Sequence, residues 1–149
     1  MGNITAHFTL DELIASDTAR RRGIDNTPTA EVAANLRRTA EALERVRQLL
    51  GGRPVIVTSG YRSPALNRAV GGVPNSAHQS GLAADFVCPK FGAPLDICRM
   101  ISRSLIEFDQ IIQEGTWVHI GLAAAGVKAR RQVLTASFGS TTTTYSEGL

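Results

Sequence analysis

The longest regular pattern of hydrophobic and polar positions lies between residues 29 and 50. Hydrophobic side chains recur there at helical spacing, with arginine and glutamate on the opposite face. The hydrophobic positions are Val32, Leu36, Ala40, Leu43, Val46, Leu49 and Leu50. Gly51 and Gly52 follow, and glycine commonly ends a helix. The pattern predicts a long amphipathic helix that packs one face on the core.

Shorter patterns predict the remaining elements. Near the start, Thr9 and Glu12 have the spacing of a capping box, which indicates a helix start. Residues 94–106 repeat the amphipathic helical pattern, and residues 64–70 begin with a proline that suits a first helical turn. Apolar runs of strand length lie at 54–58, 82–87, 108–113, 117–122 and 131–136. Helices first and a mostly antiparallel sheet later predict an α+β fold.

The chain is 149 residues long, which is enough for one domain with its own core. Hydrophobic residues make up 43% and charged residues 19%, a balance that excludes disorder of the whole chain. We see no internal repeat and no linker, so residues 1–149 are predicted to form a single domain. Residues 139–149, which include four consecutive threonines, are expected to form an extended or flexible tail.

Charge and cysteine content exclude several classes of function. The formal net charge is +3, and the basic residues are spread along the chain without interleaved aromatics, so no nucleic-acid partner is expected. No run approaches the ~20 apolar residues that span a bilayer, so no stable membrane insertion is expected. The opening MGNITAHFTLDEL lacks a signal-peptide pattern, so we expect synthesis in the cytoplasm. Cys88 and Cys98 form no CxxC pair and are expected to be buried thiols.

Candidate chemistry is concentrated in residues 59–85, SGYRSPALNRAVGGVPNSAHQSGLAAD. His78 and Asp85 are seven residues apart, with Gly81 between them to permit a tight bend. Asp85 stands in an apolar run, where a carboxylate is costly unless it is paired or bound to a metal. A metal site is one interpretation. The other is that Asp85 caps a loop and His78 lies at the surface.

A third candidate ligand follows in the strand pattern WVHI. On its own, a histidine such as His119 is more often a packed or surface residue of a strand. Together with His78 and Asp85 it completes a set of three ligands, and three protein ligands with an open fourth position are typical of catalytic zinc. The hypothesis is therefore a divalent-metal site built from a loop and two strands.

Three motifs in this order resemble those of a known family. They are SGYRS from Ser59, SAHQSGLAAD from Ser76, in the pattern SxHxxGxAxD, and WVH from Trp117. They resemble the zinc peptidases of the D-Ala-D-Ala carboxypeptidase family. That family includes vancomycin-resistance dipeptidases and phage L-alanyl-D-glutamate endolysins, and it shares its fold with hedgehog signalling domains. The segments FTLDEL and GIDNTP are similar to compact phage and prophage members, so the resemblance runs from Phe8 to about residue 136.

The resemblance implies a hedgehog/DD-peptidase fold and a role for each motif residue. His78, Asp85 and His119 would bind one zinc ion. Arg62 would hold the substrate carboxylate or the carbonyl that becomes an oxyanion, and Ser76 would hydrogen-bond a substrate carboxylate. From the residues alone, Arg62 could equally form a surface ion pair and Ser76 could serve a turn.

One position departs from the family pattern, which places an acidic residue or histidine as general base three residues before the last ligand. That position is Thr116, and threonine is no base at neutral pH. Glu114 is the nearest carboxylate, and Gly115 could turn the chain toward the metal, although strand alternation puts an odd offset on the opposite face. Glu114 is the predicted base and Asp109 the second candidate.

The resemblance therefore implies a zinc metallopeptidase that hydrolyses peptidoglycan stem peptides, at either a D-Ala-D-Ala or an L-Ala-D-Glu bond. We expect a monomeric phage or prophage endolysin, made in the host cytoplasm, which reaches the cell wall after release by a holin and acts in lysis. If no carboxylate reaches the metal, the alternative is a non-catalytic zinc-containing wall-binding or virion module.

Overall fold

Three helices precede the first strand of this computed structural model, which describes residues 2–149. They are α1 (Leu10–Ile14), α2 (Asp17–Arg22) and α3 (Ala30–Leu49). The capping box at α1 is present, since the Thr9 hydroxyl accepts from the Glu12 amide and the Glu12 carboxylate accepts from the Thr9 amide. The helix predicted over residues 29–50 is α3, within one residue at each end.

The short helix α2 was not predicted from the hydrophobic pattern. Of its six residues, only Ala19 is buried, so no apolar face marks it in the sequence. Polar ends define it instead: the Ser16 hydroxyl accepts from the Ala19 amide, and Gly23 ends the helix with a φ of 65°. It is thus a helix held by its caps rather than by a core face.

The rest of the chain alternates strands with short helices. In chain order the elements are β1 (Ile56–Ser59), α4 (Pro64–Ala69), a 3-10 helix (Ala77–Ser80), β2 (Ala83–Val87), α5 (Pro94–Ser102), β3 (Gln110–Gln113), β4 (Val118–Gly121), β5 (Gln132–Phe138) and β6 (Thr143–Glu147). Each predicted strand and helix is present with ends that differ by a few residues. No helix within residues 2–149 is long and apolar enough to cross a membrane.

The six strands form one open sheet in the order β1-β2-β4-β3-β5-β6. Every neighbouring pair is antiparallel except β3 and β5, which are parallel. Buried side chains of the sheet, such as Phe86 and Ile120, share one hydrophobic core with Leu36 and Leu43 of α3. The predicted α+β class with a mostly antiparallel sheet is confirmed.

The C-terminal segment has more structure than a free tail. Residues 143–147 form β6, which pairs antiparallel with β5 in a register that sets Ala136 opposite Tyr145. All five side chains of β6 are exposed, so the segment has no burial pattern in the sequence. Residues 143–147 therefore form an extended strand at the edge of the sheet.

Candidate metal centre

Two histidines and one aspartate meet at the centre of the sheet. Asp85 on β2 is paired in register with His119 on β4, and the 3-10 helix before β2 carries His78. One oxygen, Oδ1 of Asp85, lies 3.3 Å from His78 Nε2 and 3.0 Å from His119 Nδ1. One ligand atom from each residue lies within 4.8 Å of the other two. The geometry brings the three predicted ligands together.

Gly81 places His78 beside the sheet. It ends the 3-10 helix with a φ of 75°, and a Cβ there would lie 2.9 Å from the carbonyl oxygen of Val32 on α3. The carbonyl of Gly81 accepts a 2.7 Å hydrogen bond from the Thr39 hydroxyl, which also lies on α3. Only glycine combines this backbone conformation with this close approach, so the chain turns against α3 and enters β2 in the required direction.

A backbone carbonyl orients the ring of His78. Its side chain is only 3% exposed, and Nδ1 lies 2.7 Å from the carbonyl oxygen of Gly60. A carbonyl only accepts, so Nδ1 donates to Gly60, and Nε2 is the ring nitrogen that lies beside Asp85 and would bind a metal. Metal-binding histidines commonly donate their second ring N–H to a carbonyl in this way.

The chemistry of the three donors fits zinc. Burial alone would raise the pKa of Asp85, but hydrogen bonds from His119 and His78, together with their charges, hold it well below its usual value. The carboxylate is therefore ionised, as a metal ligand must be. His78, Asp85 and His119 would supply two imidazole nitrogens and one carboxylate oxygen, the three-ligand set typical of catalytic zinc with a fourth position for water or substrate. The group is compatible with one zinc ion.

The three ligands lie in a cleft of about 670 Å³. Arg62, Ser76, Glu114 and Trp117 also line it. An Nη of Arg62 lies 3.3 Å from Oγ of Ser76, while its Nε is buried with no hydrogen-bond partner in the described chain. Within residues 2–149, no carboxylate forms an ion pair with Arg62, so its donors remain available to a ligand in the cleft.

The position of Glu114 in the cleft removes the objection that an odd offset from His119 points away from the metal ligands. The strands β3 and β4 pair Ile112 with His119, and Glu114 extends this ladder with a 3.0 Å bond from its amide to the carbonyl of Trp117. Only residues 115 and 116 form the turn between them. Because the chain reverses across a two-residue turn, an odd offset returns to the same face. Ile112, Glu114, Trp117 and His119 accordingly all line the cleft.

The environment of Glu114 suits a proton acceptor. Burial and then the charge of Asp85 raise its pKa, while the charge of His119 and the polar groups of Trp117 and Tyr145 act against that increase. Its Oε1 is buried, and the described residues offer it no hydrogen-bond partner. A carboxylate with a raised pKa and a free oxygen beside a metal site has the properties of a general base.

The second candidate base, Asp109, forms an ion pair with Arg130. Asp109 also lines the cleft, but it accepts three side-chain bonds from Arg130, one from Nη2 at 2.8 Å and two from Nε at 3.1 and 3.2 Å. The hydrogen bond from Arg130 holds the pKa of Asp109 below its usual value. A carboxylate paired in this way is a poor proton acceptor, so the geometry favours Glu114.

Sequence patterns missed one side chain of the cleft. Tyr145 lines it from β6, in a segment without a hydrophobic pattern and far along the chain from the motifs. The position of Tyr145 depends on how β6 pairs with β5 and how β5 pairs with β3. The run of threonines before Tyr145 is compatible with a strand, but it does not indicate which strand lies beside it.

Comparison with known proteins matches most of this chain to one family. The family model described as Peptidase M15 matches residues 6–121. The zinc D-Ala-D-Ala carboxypeptidase of Streptomyces albus G is 37% identical over 79 residues, which are 53% of this chain and 30% of that protein. The chain therefore matches less than a third of the length of this curated relative. The cleft residues with predicted roles all lie within residues 6–121, whereas β5 and β6 lie beyond them; these residues are Arg62, Ser76, His78, Asp85, Asp109, Glu114 and His119.

Proposed function

The chain belongs to the peptidase M15 family, and from that membership we propose that it is a zinc peptidase that hydrolyses the stem peptides of peptidoglycan. The observation that carries the proposal is the convergence of His78, Asp85 and His119 in one cleft with Glu114 and Arg62. A relative named as a zinc D-Ala-D-Ala carboxypeptidase supports a peptide ending in D-Ala-D-Ala as the first substrate to test.

Each of these residues has a separate role in the proposed reaction. When bound, zinc acidifies water and polarises a carbonyl. Glu114 accepts the proton of the attacking water and returns it to the leaving amine. Arg62 donates to the negative charge that develops on the carbonyl oxygen, or to the terminal carboxylate of the substrate, and Ser76 can add a further hydrogen bond. The peptide C–N bond breaks, and a carboxylate and an amine are the products.

The biological setting is a further part of the proposal. We propose action at the cell wall as a monomeric phage or prophage endolysin, supported by the similarity of FTLDEL and GIDNTP to compact phage members. The bond that is cut separates two possible activities. Cleavage at D-Ala-D-Ala would make the protein a carboxypeptidase, and cleavage at L-Ala-D-Glu would make it an endopeptidase capable of lysis.

The first experiment measures new amino groups released from purified peptidoglycan and from two synthetic peptides. One peptide ends in D-Ala-D-Ala, and the other contains L-Ala-D-Glu with a blocked C-terminus. We expect release by the zinc-loaded protein, loss with a chelator and recovery with zinc. His78→Ala should lose activity, and His7→Ala is its control because His7 is exposed and pairs with Glu44.

Two outcomes would contradict the proposed function. If the zinc-loaded protein releases nothing from any of the three substrates, hydrolysis of stem peptides is wrong. If it also sediments with peptidoglycan without cutting it, a wall-binding module is the better description.

A further inference from the structure

We propose that the hairpin of β5 and β6 completes the active site, with Tyr145 as a positioning residue that holds the carboxylate of Glu114. The inference rests on the proposed function, because it assigns a role within the same cleft. It concerns a part of the chain beyond the residues that the family model matches. Three observations connect this hairpin with the strands that carry the site.

The first contact is the pairing of β5 with β3. These strands are parallel, and Gln113, the last residue of β3, is in register with Thr135. Glu114 follows directly, so β5 runs beside the strand that presents the predicted base. Leu134 of β5 and Tyr145 of β6 both line the cleft. The hairpin therefore forms one wall of the site.

The second contact is between Phe138 and the turn after Glu114. The ring of Phe138 lies 6.3 Å from the ring of Trp117, centroid to centroid, at an angle of 51°. A Cβ on Gly115, which has a φ of 82°, would lie 3.1 Å from the ring of Phe138. Phe138 thus covers the turn between Glu114 and Trp117, and the turn needs glycine both for its conformation and for this packing.

The third observation is the register that places Tyr145 near Glu114. Gln113 pairs with Thr135, so Glu114 comes next to Ala136, and Ala136 pairs with Tyr145. Only the small side chain of Ala136 therefore stands between Glu114 and Tyr145 in one row across the sheet, and both line the cleft. Burial, then the charges of Glu114 and Asp85, raise the pKa of the Tyr145 phenol, so the phenol is protonated at neutral pH and can donate, and its polarity acts against the rise in the pKa of Glu114. The other groups that influence Glu114 are Asp85 on β2, His119 on β4 and Trp117 directly before β4.

These contacts give Tyr145 a defined part in the reaction. A hydroxyl that donates to the carboxylate of Glu114 limits the rotation of that side chain, while Oε1 has no partner among the described residues and can accept a proton. Orientation of the base contributes to the rate without adding binding energy for the peptide. Loss of the hydroxyl should therefore lower kcat and leave KM nearly unchanged.

The variant Tyr145→Phe removes only the hydroxyl. Thr144→Val is its matched control, because it also removes one hydroxyl from β6, and alternation puts Thr144 on the opposite face. We expect Tyr145→Phe to reduce kcat roughly tenfold, the usual effect of a hydrogen bond to a charged group, with KM within about twofold of wild type. Thr144→Val should retain the kcat of the wild type.

A second measurement is independent of turnover. In zinc-free protein labelled with ¹³C at glutamate carboxyls, the Glu114 resonance is assigned by its loss in Glu114→Gln. The titration midpoint of Glu114 should be higher in Tyr145→Phe than in wild type, because the donor that favours the charged form is gone, and unchanged in Thr144→Val.

The outcomes separate this inference from the proposed function. A wild-type midpoint in Tyr145→Phe overturns the placement of Tyr145, whatever the turnover. A raised midpoint with wild-type kcat overturns its role in the reaction. Absence of turnover in the wild-type enzyme counts against the proposed function alone, and the titration still decides whether Tyr145 contacts Glu114.

Discussion

Glu114 and Arg62 are two partly buried charged residues that face the cleft, and neither has an ion-pair partner among residues 2–149. Burial lowers the pKa of the Arg62 guanidinium and raises that of the Glu114 carboxyl, which means that each charge is held at a cost. A folded protein gains no stability from such groups. Partly buried charged residues with perturbed pKa values are typical of functional sites, and these two lie in a cleft beside three potential metal ligands.

Replacing Glu114 by glutamine tests the base. The amide keeps the size of the side chain but cannot accept a proton, so we expect kcat to fall by roughly 10² to 10⁴. Zinc affinity should change little, because Glu114 is not one of the three ligands. The measurement is kcat for stem-peptide hydrolysis together with zinc content. Glu107→Gln, at an exposed glutamate, is the control. A Glu114→Gln enzyme with half the wild-type kcat would place the base elsewhere.

At the scale of elements, the segment after β1 supports the metal ligands from behind. Tyr61 donates a 2.7 Å backbone bond to the carbonyl of Leu13 on α1, and Gly60 accepts from the ring of His78. A Cβ on Gly60 would overlap with the same Leu13 oxygen. The helix α1, the end of β1 and the 3-10 helix are thus packed together at a position where only glycine fits.

Gly60→Ala should therefore weaken both the fold and the metal site. Moving the chain away from Leu13 costs about 1 to 3 kcal/mol, typical of overpacking, and it displaces the carbonyl that orients His78. We expect roughly 10- to 100-fold weaker zinc binding, as for other losses of a ligand's hydrogen-bond partner. Urea unfolding of the zinc-free protein and competition with a chromophoric chelator measure the two effects.

Gly2→Ala is the control for this variant, because a Cβ at Gly2 meets no atom within 4 Å. Wild-type zinc affinity in Gly60→Ala would show that the carbonyl of Gly60 does not orient His78.

Elements with an apolar face could be predicted from the sequence, and elements without one could not. The helix α3 was predicted within one residue at each end because its buried face repeats over five turns. The helix α2 and the strand β6 bury almost nothing, so their patterns carry no such signal. The three candidate metal ligands could be predicted from their motifs. Glu114 could be proposed as the base only against strand alternation, because alternation counted along the chain ignores a turn that reverses its direction.

At the scale of the whole molecule, the sheet order brings together residues that are distant in the chain. Asp85 and His119 are in register on neighbouring strands although β3 and α5 lie between them in sequence. The ligand set consequently does not exist before the sheet has formed. Zinc binding is therefore expected to be linked to folding. In the zinc-free protein, Asp85 connects the three side chains through its contacts with His78 and His119.

Acid should remove the contribution of Asp85 to the stability of the zinc-free protein. Its pKa is lower in the folded than in the unfolded chain, so the contribution is fully present above the unfolded value of about 3.9 and is lost as pH falls through the folded value. The difference in free energy of unfolding between wild type and Asp85→Asn should shrink between pH 5 and pH 2, at about 1.4 kcal/mol per pH unit at most.

Urea unfolding at several pH values measures this difference. Asp17→Asn controls for the loss of one negative charge, since Asp17 is exposed and distant from the histidines. A gap between wild type and Asp85→Asn that stays constant down to pH 2 would contradict the ionised state assigned to Asp85.

The two-residue turn between Glu114 and Trp117 also affects how related proteins can be recognised. Glu114 faces the metal ligands because it extends the ladder that pairs Ile112 with His119. An insertion in the turn that kept this pairing would change the spacing along the chain and leave the glutamate on the same face. A search for a fixed interval before the last histidine would then reject active enzymes, whereas a search aligned on the strand pair would retain them.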